Sequence, residues 1–338
     1  MSVSLLKYNT LGLDQSCQEL INVESVEQLI IQCQRLQALN QALLVLGGGS
    51  NVVLTTDFAG SVLRMNTKGI EVEQQADGVT LTVQAGENWH QLVEYCLQQG
   101  FYGLENLALI PGSVGAAPIQ NIGAYGVEFG QFCTQVEYLD RTSFKLNRLD
   151  NQQCQFGYRD SIFKQALMGK AIITAVRLFI PANWQPNLSY GPLKHLSADT
   201  VSAVQVFDHV CQTRKAKLPD PNVMGNVGSF FKNPIITAAK FALLKQQYPN
   251  IVGYPQDKGD IKVAAGWLIE HAHLKGYKLG NAGVHDKQAL VLINLGHARG
   301  EDICRLAKYV MQVVETTFAI TLEAEPRVMG SQAEVALV

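Results

Sequence analysis

Two glycine-rich segments constrain the fold of this 338-residue chain more than any other feature of its sequence. The first, Gly47-Gly48-Gly49-Ser50-Asn51, lies between two short apolar runs, 42–46 and 52–55, that are typical of strands. From Phe101 to Val127 the periodicity of helices and strands fails, and the second segment, residues 110–126 within this stretch, contains four glycines and three alanines. An irregular segment of this length inside a compact protein is usually functional. The chain must therefore fold into ordered elements that present two irregular, glycine-rich loops.

The first glycine segment has two physical interpretations, and its sequence leaves both open. Because glycine lets the main chain approach a ligand closely, the segment could hold a phosphate in a nest of backbone N–H groups, with Ser50 and Asn51 adding a hydroxyl and an amide. The same residues would also form a tight hairpin turn between the flanking strands. A dinucleotide-binding fingerprint is excluded, because the segment lacks GxGxxG and no helix follows it.

The second glycine segment carries no cationic side chain. Its small residues could pack against a flat ring and a pyrophosphate, but any phosphate would have to be bound through backbone N–H groups. The other interpretation is an irregular lid without a ligand of its own.

Composition and charge exclude several classes of protein. Hydrophobic residues make up 47% of the chain and charged residues 17%, which is ordinary for a globular protein. A net charge of −2 gives no field that would recruit nucleic acid or an anionic membrane, so we expect neither as a partner. The first residues lack the basic and apolar regions of a signal peptide, which predicts a cytoplasmic location.

The cysteines and histidines do not form a metal-binding pattern. The seven cysteines are scattered without a CxxC pair, which argues against a structural zinc site. His271 and His273 are two residues apart on a predicted helix and therefore point to different faces. We expect no metal ion, and we expect Cys33 and Cys96 to be core thiols.

Capping residues and hydrophobic spacing predict the regular elements. A capping box at Ser25 and Gln28 opens one amphipathic helix, and Asn88 and Gly100 bound another. Alternating residues from Ile320 onward predict a last strand, with Ile320, Leu322 and Ala324 on one face. The other predicted helices cover 201–214, 236–247, 264–274 and 301–317, and the other predicted strands cover 62–65, 79–85, 136–139, 171–180 and 290–294. Two prolines within 217–221 predict a domain junction.

The two glycine segments, in this order, resemble the FAD-binding domain of the vanillyl-alcohol-oxidase type. The second, PGSVGAAPIQNIGAYG, is similar in particular to the segment found in the UDP-N-acetylenolpyruvoylglucosamine reductase family, and Tyr190 lies in a loop like that of its longer, type I branch. Further matches to this family span nearly the whole chain, at residues 158–161, 225–234, 265–270 and 323–327.

The resemblance implies an α+β fold in which a two-part FAD-binding domain is combined with a C-terminal α+β substrate-binding domain. Its first part would be residues 1–68, rejoined by 320–338, its second part 69–218, and the substrate-binding domain 219–319. The resemblance also implies FAD as cofactor and NADPH as hydride donor. No histidine lies in either glycine segment, so we expect FAD to be bound non-covalently. The implied cofactor-binding residues are Gly47, Gly48, Gly49, Ser50, Asn51, Pro111, Gly112, Ser113, Gly115, Ala116, Ile119, Gln120, Asn121, Gly123 and Tyr125.

The substrate implied by the resemblance is UDP-N-acetylglucosamine enolpyruvate, which would be reduced to UDP-N-acetylmuramate by a monomeric enzyme. Ser229 matches the family's proton donor, and Arg159 and Glu325 match residues on the side of the substrate carboxylate. Without the resemblance, these would be interpreted as a turn hydroxyl, a surface ion-pair partner and a solvent-facing carboxylate. The implied substrate-binding residues are Tyr190, Arg214, Lys217, Asn233, Gln288 and Arg327.

Two other functions remain compatible with the sequence. The first is a flavin-dependent oxidase of the same fold that acts on a carbohydrate or an alcohol. The second is a nucleotide-sugar binding protein without catalytic activity. A serine hydrolase is disfavoured, because the chain contains no GxSxG motif.

Overall fold

The computed structural model describes residues 2–256 and 259–337. The α-helices are α1 (Val26–Ala38), α2 (Trp89–Gln99), α3 (Ala203–Lys217), α4 (Ala238–Gln247), α5 (Ala265–His271) and α6 (Gly300–Phe318). The strands are β1 (Val3–Ser4), β2 (Ser16–Val23), β3 (Ala42–Leu46), β4 (Val52–Leu54), β5 (Phe58–Met65), β6 (Ile70–Gln74), β7 (Gly78–Gln84), β8 (Gly123–Ala124), β9 (Val127–Glu128), β10 (Cys133–Asp140), β11 (Leu146–Asp150), β12 (Ala171–Pro181), β13 (Asn226–Ser229), β14 (Ile235–Ile236), β15 (Gly253–Pro255), β16 (Ile261–Val263), β17 (Lys278–Leu279), β18 (Ala282–Val284), β19 (Val291–Asn294) and β20 (Arg327–Met329).

The chain folds into two compact units. The terminal unit consists of Met1–Gln18, Ser50–Ala59 and Lys217–Val338, and the central unit consists of Glu19–Gly49 and Gly60–Ala216. Each unit therefore draws on more than one segment of the sequence. The division into three domains with the boundaries given above stays a prediction.

The terminal unit combines small sheets with three helices. β13, β19, β18 and β17 form an antiparallel sheet in this order, and β14, β16 and β15 form a second one. β4 and β20 form a parallel pair. Helix α6 packs against β18, β19, α5 and β4, and its buried residues recur every three or four positions, as expected for an amphipathic helix with one core-facing side.

The central unit is built around a five-stranded antiparallel sheet in the order β11-β10-β12-β7-β6. β3 and β5 form a parallel pair in the same unit. The main hydrophobic core includes the buried faces of α1 and α2 and the ring of Trp89, which meets that of Phe129 edge-on with centroids 5.9 Å apart. Much of the irregular segment after α2 is buried against this core, including residues 104–108.

The predicted helix boundaries are confirmed to within about one turn. The Ser25 Oγ accepts a hydrogen bond from the Gln28 N–H at 3.1 Å and begins α1. The Asn88 Oδ1 accepts one from the Gln91 N–H at 3.0 Å and begins α2, which ends where Gly100 adopts φ +79°. Cys33 and Cys96 are buried, as predicted.

The predicted last strand at 320–325 is wrong. This segment has the predicted faces, because Ile320 and Leu322 are buried and Glu323 is exposed. Within the described residues, however, its β pairing is limited to an isolated bridge between Ala324 and Phe231, which lies outside the strands. Alternation of apolar and polar residues indicates which side chains face the core. It does not show whether the backbone has a hydrogen-bonded partner strand, which a β-strand also requires. The ordered strand begins later, at Arg327.

None of the helices in the described parts of the chain combines the length and the apolar character that crossing a bilayer requires.

Candidate functional site

The first glycine segment is not a hairpin turn. β3, which precedes it, pairs in parallel with β5 in the central unit, and β4, which follows it, pairs in parallel with β20 in the terminal unit. The two flanking strands thus have separate partners, and the hairpin interpretation is wrong. The glycines must serve another requirement of the fold.

That requirement is close contact with the second glycine segment within the central unit. A Cβ added to Gly48 would lie 2.9 Å from the Cα of Gly112, and one added to Gly47 would lie 2.1 Å from the Oγ of Ser113. A side chain at either position would collide with its neighbour, so the main chains of Gly48 and Gly112 meet directly and Gly47 leaves room for the Ser113 hydroxyl. A paired set of bare backbone segments suits a cofactor that is bound through N–H groups, and these residues fit FAD.

The start of the second segment is fixed by α2 and by the strand before it. The Trp89 N–H donates to the Gly112 carbonyl at 3.1 Å, and the Val114 N–H donates to the Glu87 carbonyl at 2.8 Å. The Gly115 N–H donates to the Ala85 carbonyl at 2.9 Å. The segment is therefore an ordered part of the core boundary and not a loose lid.

Further along, Asn121 and Tyr125 adopt left-handed backbone conformations, with φ +44° and +51°. The Asn121 side chain supports its own turn, because its Nδ2 donates to the Gly157 carbonyl at 3.0 Å and its Oδ1 accepts from the Gly130 N–H at 2.8 Å. Such conformations cost energy and persist where the surroundings impose them, commonly at functional sites.

Arg159 also has a left-handed backbone conformation, with φ +54°, and lies beside the second glycine segment. Its Nη2 donates to the Gly123 carbonyl at 2.9 Å, and its guanidinium lies 5.5 Å from the centre of the Tyr158 ring. Arg159 is half-buried and thus keeps a partly accessible positive charge next to the predicted cofactor residues.

Arg214, on α3, adds a second positive charge near the same segment. Burial lowers the pKa of its guanidinium; Tyr125 and Cys211 oppose this shift, and the charge of Arg159 adds to it. The Arg214 Nε is buried without a hydrogen-bond partner among the residues that the structure describes. Two neighbouring cations, one with an unsatisfied buried donor, form an arrangement suited to an anionic ligand.

Tyr190 is exposed and meets the cofactor segment edge-on. Its ring centroid lies 5.9 Å from that of Tyr125, at an interplanar angle of 89°. The structure thus brings together one predicted substrate residue and one predicted cofactor residue within the central unit.

In the terminal unit, Ser229 and Glu325 lie on hydrogen-bonded neighbouring segments. Ser229 ends β13 opposite Val291, and the Glu325 N–H donates to the carbonyl of Phe230 at 2.8 Å. The Asn51 Nδ2 donates to the Glu325 carbonyl at 3.3 Å, so Asn51 holds the segment that carries this carboxylate. Ser229 and Glu325 are both half-buried, which leaves each side chain partly accessible.

The remaining predicted substrate residues of the terminal unit have differing partners. The Asn233 Oδ1 accepts from the Ala265 N–H at 2.9 Å, at the start of α5, and the Gln288 Oε1 accepts from the Leu290 N–H at 3.4 Å. The Arg327 Nε donates to the Glu334 carboxylate at 2.8 Å. Lys217 is exposed at the end of α3.

The other predicted cofactor residues are distributed between the units. Ser50 and Asn51 begin a segment of the terminal unit, and the rest lie in the central unit. Ala116 closes a short turn through its N–H to the Ser113 carbonyl at 3.0 Å, and the Ile119 carbonyl accepts from the Ser161 hydroxyl at 2.7 Å. Pro111 and Gln120 occupy the same loop.

Sequence reasoning missed Glu105 and Asn106, which lie in a short turn before the second glycine segment and are both buried. The Glu105 carboxylate accepts hydrogen bonds from the Trp184 indole N–H and from the Gly103 N–H, and burial raises its pKa. Polar residues in an aperiodic stretch give no pattern from which burial could be predicted.

Comparison with known proteins agrees with this geometry. A family model described as "FAD binding domain" matches residues 18–143, and one described as "UDP-N-acetylenolpyruvoylglucosamine reductase, C-terminal domain" matches residues 220–329. They confirm the predicted fold class and FAD as the cofactor.

Two relatives and one solved structure extend over nearly the whole chain. The UDP-N-acetylenolpyruvoylglucosamine reductase of Shewanella oneidensis is 58% identical over 99% of this chain and 98% of its own length. That of Escherichia coli O157:H7 is 48% identical over 100% of this chain and 99% of its own length. The crystal structure of the Thermus caldophilus reductase is 25% identical, with a TM-score of 0.66, and the match covers 97% of this chain and 98% of that one.

Proposed function

Because the chain belongs to the UDP-N-acetylenolpyruvoylglucosamine reductase family, we propose that it reduces the enolpyruvyl group of UDP-N-acetylglucosamine enolpyruvate with NADPH. The product would be UDP-N-acetylmuramate, a precursor of bacterial peptidoglycan. The observation that carries this proposal is the contact of Gly48 with Gly112, which leaves two bare backbone segments for FAD. We expect the enzyme to act in the cytoplasm as a monomer.

When bound, FAD would take a hydride from NADPH and supply one to the terminal carbon of the substrate double bond. Addition at that carbon leaves negative charge on the carbon next to the substrate carboxylate. The protein must stabilise this charge and then deliver a proton to the same carbon.

Ser229 is our candidate for the proton donor. A serine hydroxyl is a weak acid, but an enolate-like carbon is a strong base and can take its proton. Gly228, with φ +71° and no heavy atom within 4 Å of an added Cβ, leaves room for the substrate beside this hydroxyl. The half-buried position of Ser229 limits competing protonation by solvent.

Arg159 and Glu325 are our candidates for the substrate carboxylate. The planar guanidinium of Arg159 can donate two hydrogen bonds to a carboxylate or an enolate. Its position is restricted by the bond to the Gly123 carbonyl. Glu325 would orient the substrate, and the hydrogen bonds from its main chain to Phe230 and from Asn51 support it there.

The diphosphate and the sugars would be bound by Tyr190, Arg214, Lys217, Asn233, Gln288 and Arg327. Among these residues, Arg214 is the strongest candidate for the diphosphate. Its buried Nε has no hydrogen-bond partner in the described structure, and the charge of Arg159 lies nearby. An anionic ligand would satisfy that donor and offset the cost of burying the charge.

The experiment that tests this proposal separates the two halves of the reaction. The purified protein is reduced with NADPH under anaerobic conditions while the flavin absorbance is followed, and UDP-N-acetylglucosamine enolpyruvate is then added. We expect the flavin to bleach with NADPH and to recover its absorbance on addition of this substrate, before any oxygen is admitted.

Two results would contradict the proposal. A flavin that recovers its absorbance only in air would indicate an oxidase of the same fold. A purified protein that neither carries flavin nor binds added FAD would leave the glycine segments with a purely structural role. Product analysis by mass spectrometry, which should detect two added hydrogens in the enolpyruvyl group, is the control.

A further inference from the structure

Asn106 joins two segments of the central unit that carry predicted site residues. It lies in the short turn Glu105–Leu107 and is 1% exposed. Its side-chain Nδ2 donates to the carbonyl of Tyr125 at 3.0 Å and to the carbonyl of Asn187 at 2.9 Å. The two hydrogens of one buried amide therefore connect the cofactor segment with the segment that leads to Tyr190.

Further contacts join the same two segments. The Asn187 Nδ2 donates to the Gly126 carbonyl at 3.0 Å. A Cβ added to Gly126 would lie 2.8 Å from the Ser189 Oγ, so the segments are in close contact at this point. The rings of Tyr125 and Tyr190 then meet edge-on, as described above.

The turn Glu105–Leu107 also binds the side chain of Trp184. The Glu105 carboxylate, next to Asn106, accepts a hydrogen bond from the indole N–H of Trp184. The turn thus holds the Tyr190 segment at two places, Trp184 and Asn187. Tyr190 is exposed and lies three residues after Asn187, so the bonds at Trp184 and Asn187 help to set where its ring meets that of Tyr125.

Few other side chains could replace Asn106. Both carbonyl groups are partly buried and accept a hydrogen bond from this one buried amide, so loss of the amide costs free energy. An aspartate would place acceptor oxygens against these carbonyls, and an alanine would remove both hydrogen bonds and leave a cavity besides.

We propose that Asn106 is a positioning residue for substrate binding, which acts by fixing Tyr190 against Tyr125. The inference rests on the proposed function in one respect, namely that Tyr190 contacts the nucleotide-sugar substrate. Asn106 itself is buried beneath both segments and contacts the substrate only through Tyr190.

The test compares Asn106→Ala with wild type in steady-state turnover of UDP-N-acetylglucosamine enolpyruvate, expressed per bound flavin. We expect KM for this substrate to rise about tenfold and kcat to change less than about twofold, because the defect lies in placing Tyr190. Asn106→Asp should give a change in the same direction. An unchanged KM with a lower flavin content would overturn the proposal, since that is the result of a general loss of stability.

Asn151, whose side chain is exposed, provides a control that is matched in its hydrogen bonds. Its Nδ2 also donates to two backbone carbonyls, those of Gly130 at 2.7 Å and Cys133 at 2.8 Å. Neither of these residues belongs to the segments that Asn106 joins. Asn151→Ala should leave KM within about twofold of wild type, and an equal rise in both variants would count against a specific role of Asn106.

A double variant tests whether Asn106 acts through Tyr190. If it does, Asn106→Ala should raise KM little further once Tyr190→Ala is present, because interacting sites are not additive. A tenfold rise in both backgrounds would overturn this step. Should Asn106→Ala fail to fold, Asn106→Asp, which keeps the side-chain volume but has no amide donor for either carbonyl, carries the same test.

Hydrogen exchange followed by mass spectrometry gives a readout that does not depend on the reaction. In the Asn106→Ala variant, we expect amides in residues 185–194 to exchange about tenfold faster, while those of α2 keep their wild-type rates. If wild type does not turn over the substrate, the proposed function fails whatever the exchange shows. If turnover is normal and exchange in 185–194 is unchanged, the positioning role of Asn106 fails alone.

Discussion

Gly48 lies against Gly112 so closely that a Cβ added to Gly48 would come within 2.9 Å of the Gly112 Cα. The two residues belong to segments that are distant in sequence, and each segment is held by its own elements, the first by β3 and the second by α2. A single methyl group at residue 48 therefore changes the spacing of the two backbones on which the proposed flavin site depends.

The first prediction concerns that methyl group. Gly48→Ala should lower FAD affinity at least tenfold, because neither backbone can move away without loss of its own hydrogen bonds. Flavin content after gel filtration and titration with FAD measure the effect. Gly169→Ala is the control, since a Cβ there has nothing within 4 Å and its cost is only that of φ +70°, about 1 kcal/mol. Equal flavin loss in both variants would show that the close contact has no part in cofactor binding.

The second prediction assigns Ser229 to one half of the reaction. Ser229→Ala should leave the rate of flavin reduction by NADPH within about threefold and slow reoxidation by the enolpyruvyl substrate by roughly three orders of magnitude, as expected when a proton donor acts only in the transition state. Stopped-flow absorbance resolves both rates. Ser331→Ala, at an exposed turn of the same unit, serves as control. Comparable losses in both half-reactions would remove Ser229 from the role of proton donor.

The third prediction concerns Glu105. Burial raises the pKa of this carboxyl, although hydrogen bonds from Trp184 and Gly103 oppose the shift. The folded protein then binds the proton more tightly than the unfolded chain does. This group therefore stabilises the fold at a pH below its ordinary pKa, and that stability is lost as the pH rises through the raised value.

Glu105→Gln isolates this contribution, because glutamine keeps an acceptor oxygen for Trp184 but does not titrate. The difference in free energy of unfolding between wild type and variant should shift in favour of the variant as pH rises from about 4 to 8, by at most about 1.4 kcal/mol per pH unit. Denaturant unfolding at several pH values measures it. A difference that stays constant over this range would show that Glu105 has the same pKa in the folded and unfolded chain.

Helix ends could be predicted from the sequence, whereas strand pairing could not. The caps at Ser25, Asn88 and Gly100 were predictable, because a cap depends on residues within one turn of the chain. The last strand was not, since pairing depends on a partner that is distant in sequence, and only Ala324 forms a bridge to Phe231. The hairpin interpretation of the first glycine segment failed for the same reason.

The candidate site shows the same limit. Glycine clusters are visible in a sequence, and resemblance assigned a flavin to them, but only the structure shows Gly48 against Gly112. Asn106 could not have been found, because an asparagine in an aperiodic stretch is ordinarily exposed in a turn. Its role depends on two carbonyl groups, of Tyr125 and Asn187, that reach it only in the folded chain.

The fourth prediction concerns the buried Nε of Arg214, which has no hydrogen-bond partner among the described residues. Arg214→Met should raise the stability of the flavin-free protein by about 1 kcal/mol, because a buried guanidinium without a partner for its Nε is replaced by an apolar side chain of similar length. The same variant should bind UDP at least tenfold more weakly, as measured by calorimetry. Arg177→Met is the control, since Arg177 forms a surface ion pair with Glu73 and its loss should change stability by less than about 1 kcal/mol. A destabilised Arg214→Met variant would show that the charge is compensated in the folded protein.

The fifth prediction concerns the thiols, all seven of which are free and buried. Burial raises the pKa of Cys33 to about 11, of Cys96 to about 12 and of Cys154 to about 12. Because the thiolate is the reactive form, both access and ionisation oppose modification of these residues at neutral pH.

At pH 8, less than about one cysteine per native chain should therefore react with a disulfide reagent within minutes. In protein unfolded by guanidinium, all seven cysteines should react. At reagent concentrations high enough for labelling to outpace reclosing, reaction in the native state should reach a limit set by the rate of unfolding. Rapid labelling of a single native cysteine would identify a local opening, and peptide mapping would locate it. Cys211 on α3 and Cys304 on α6 are the positions to inspect first, because each is 9% exposed.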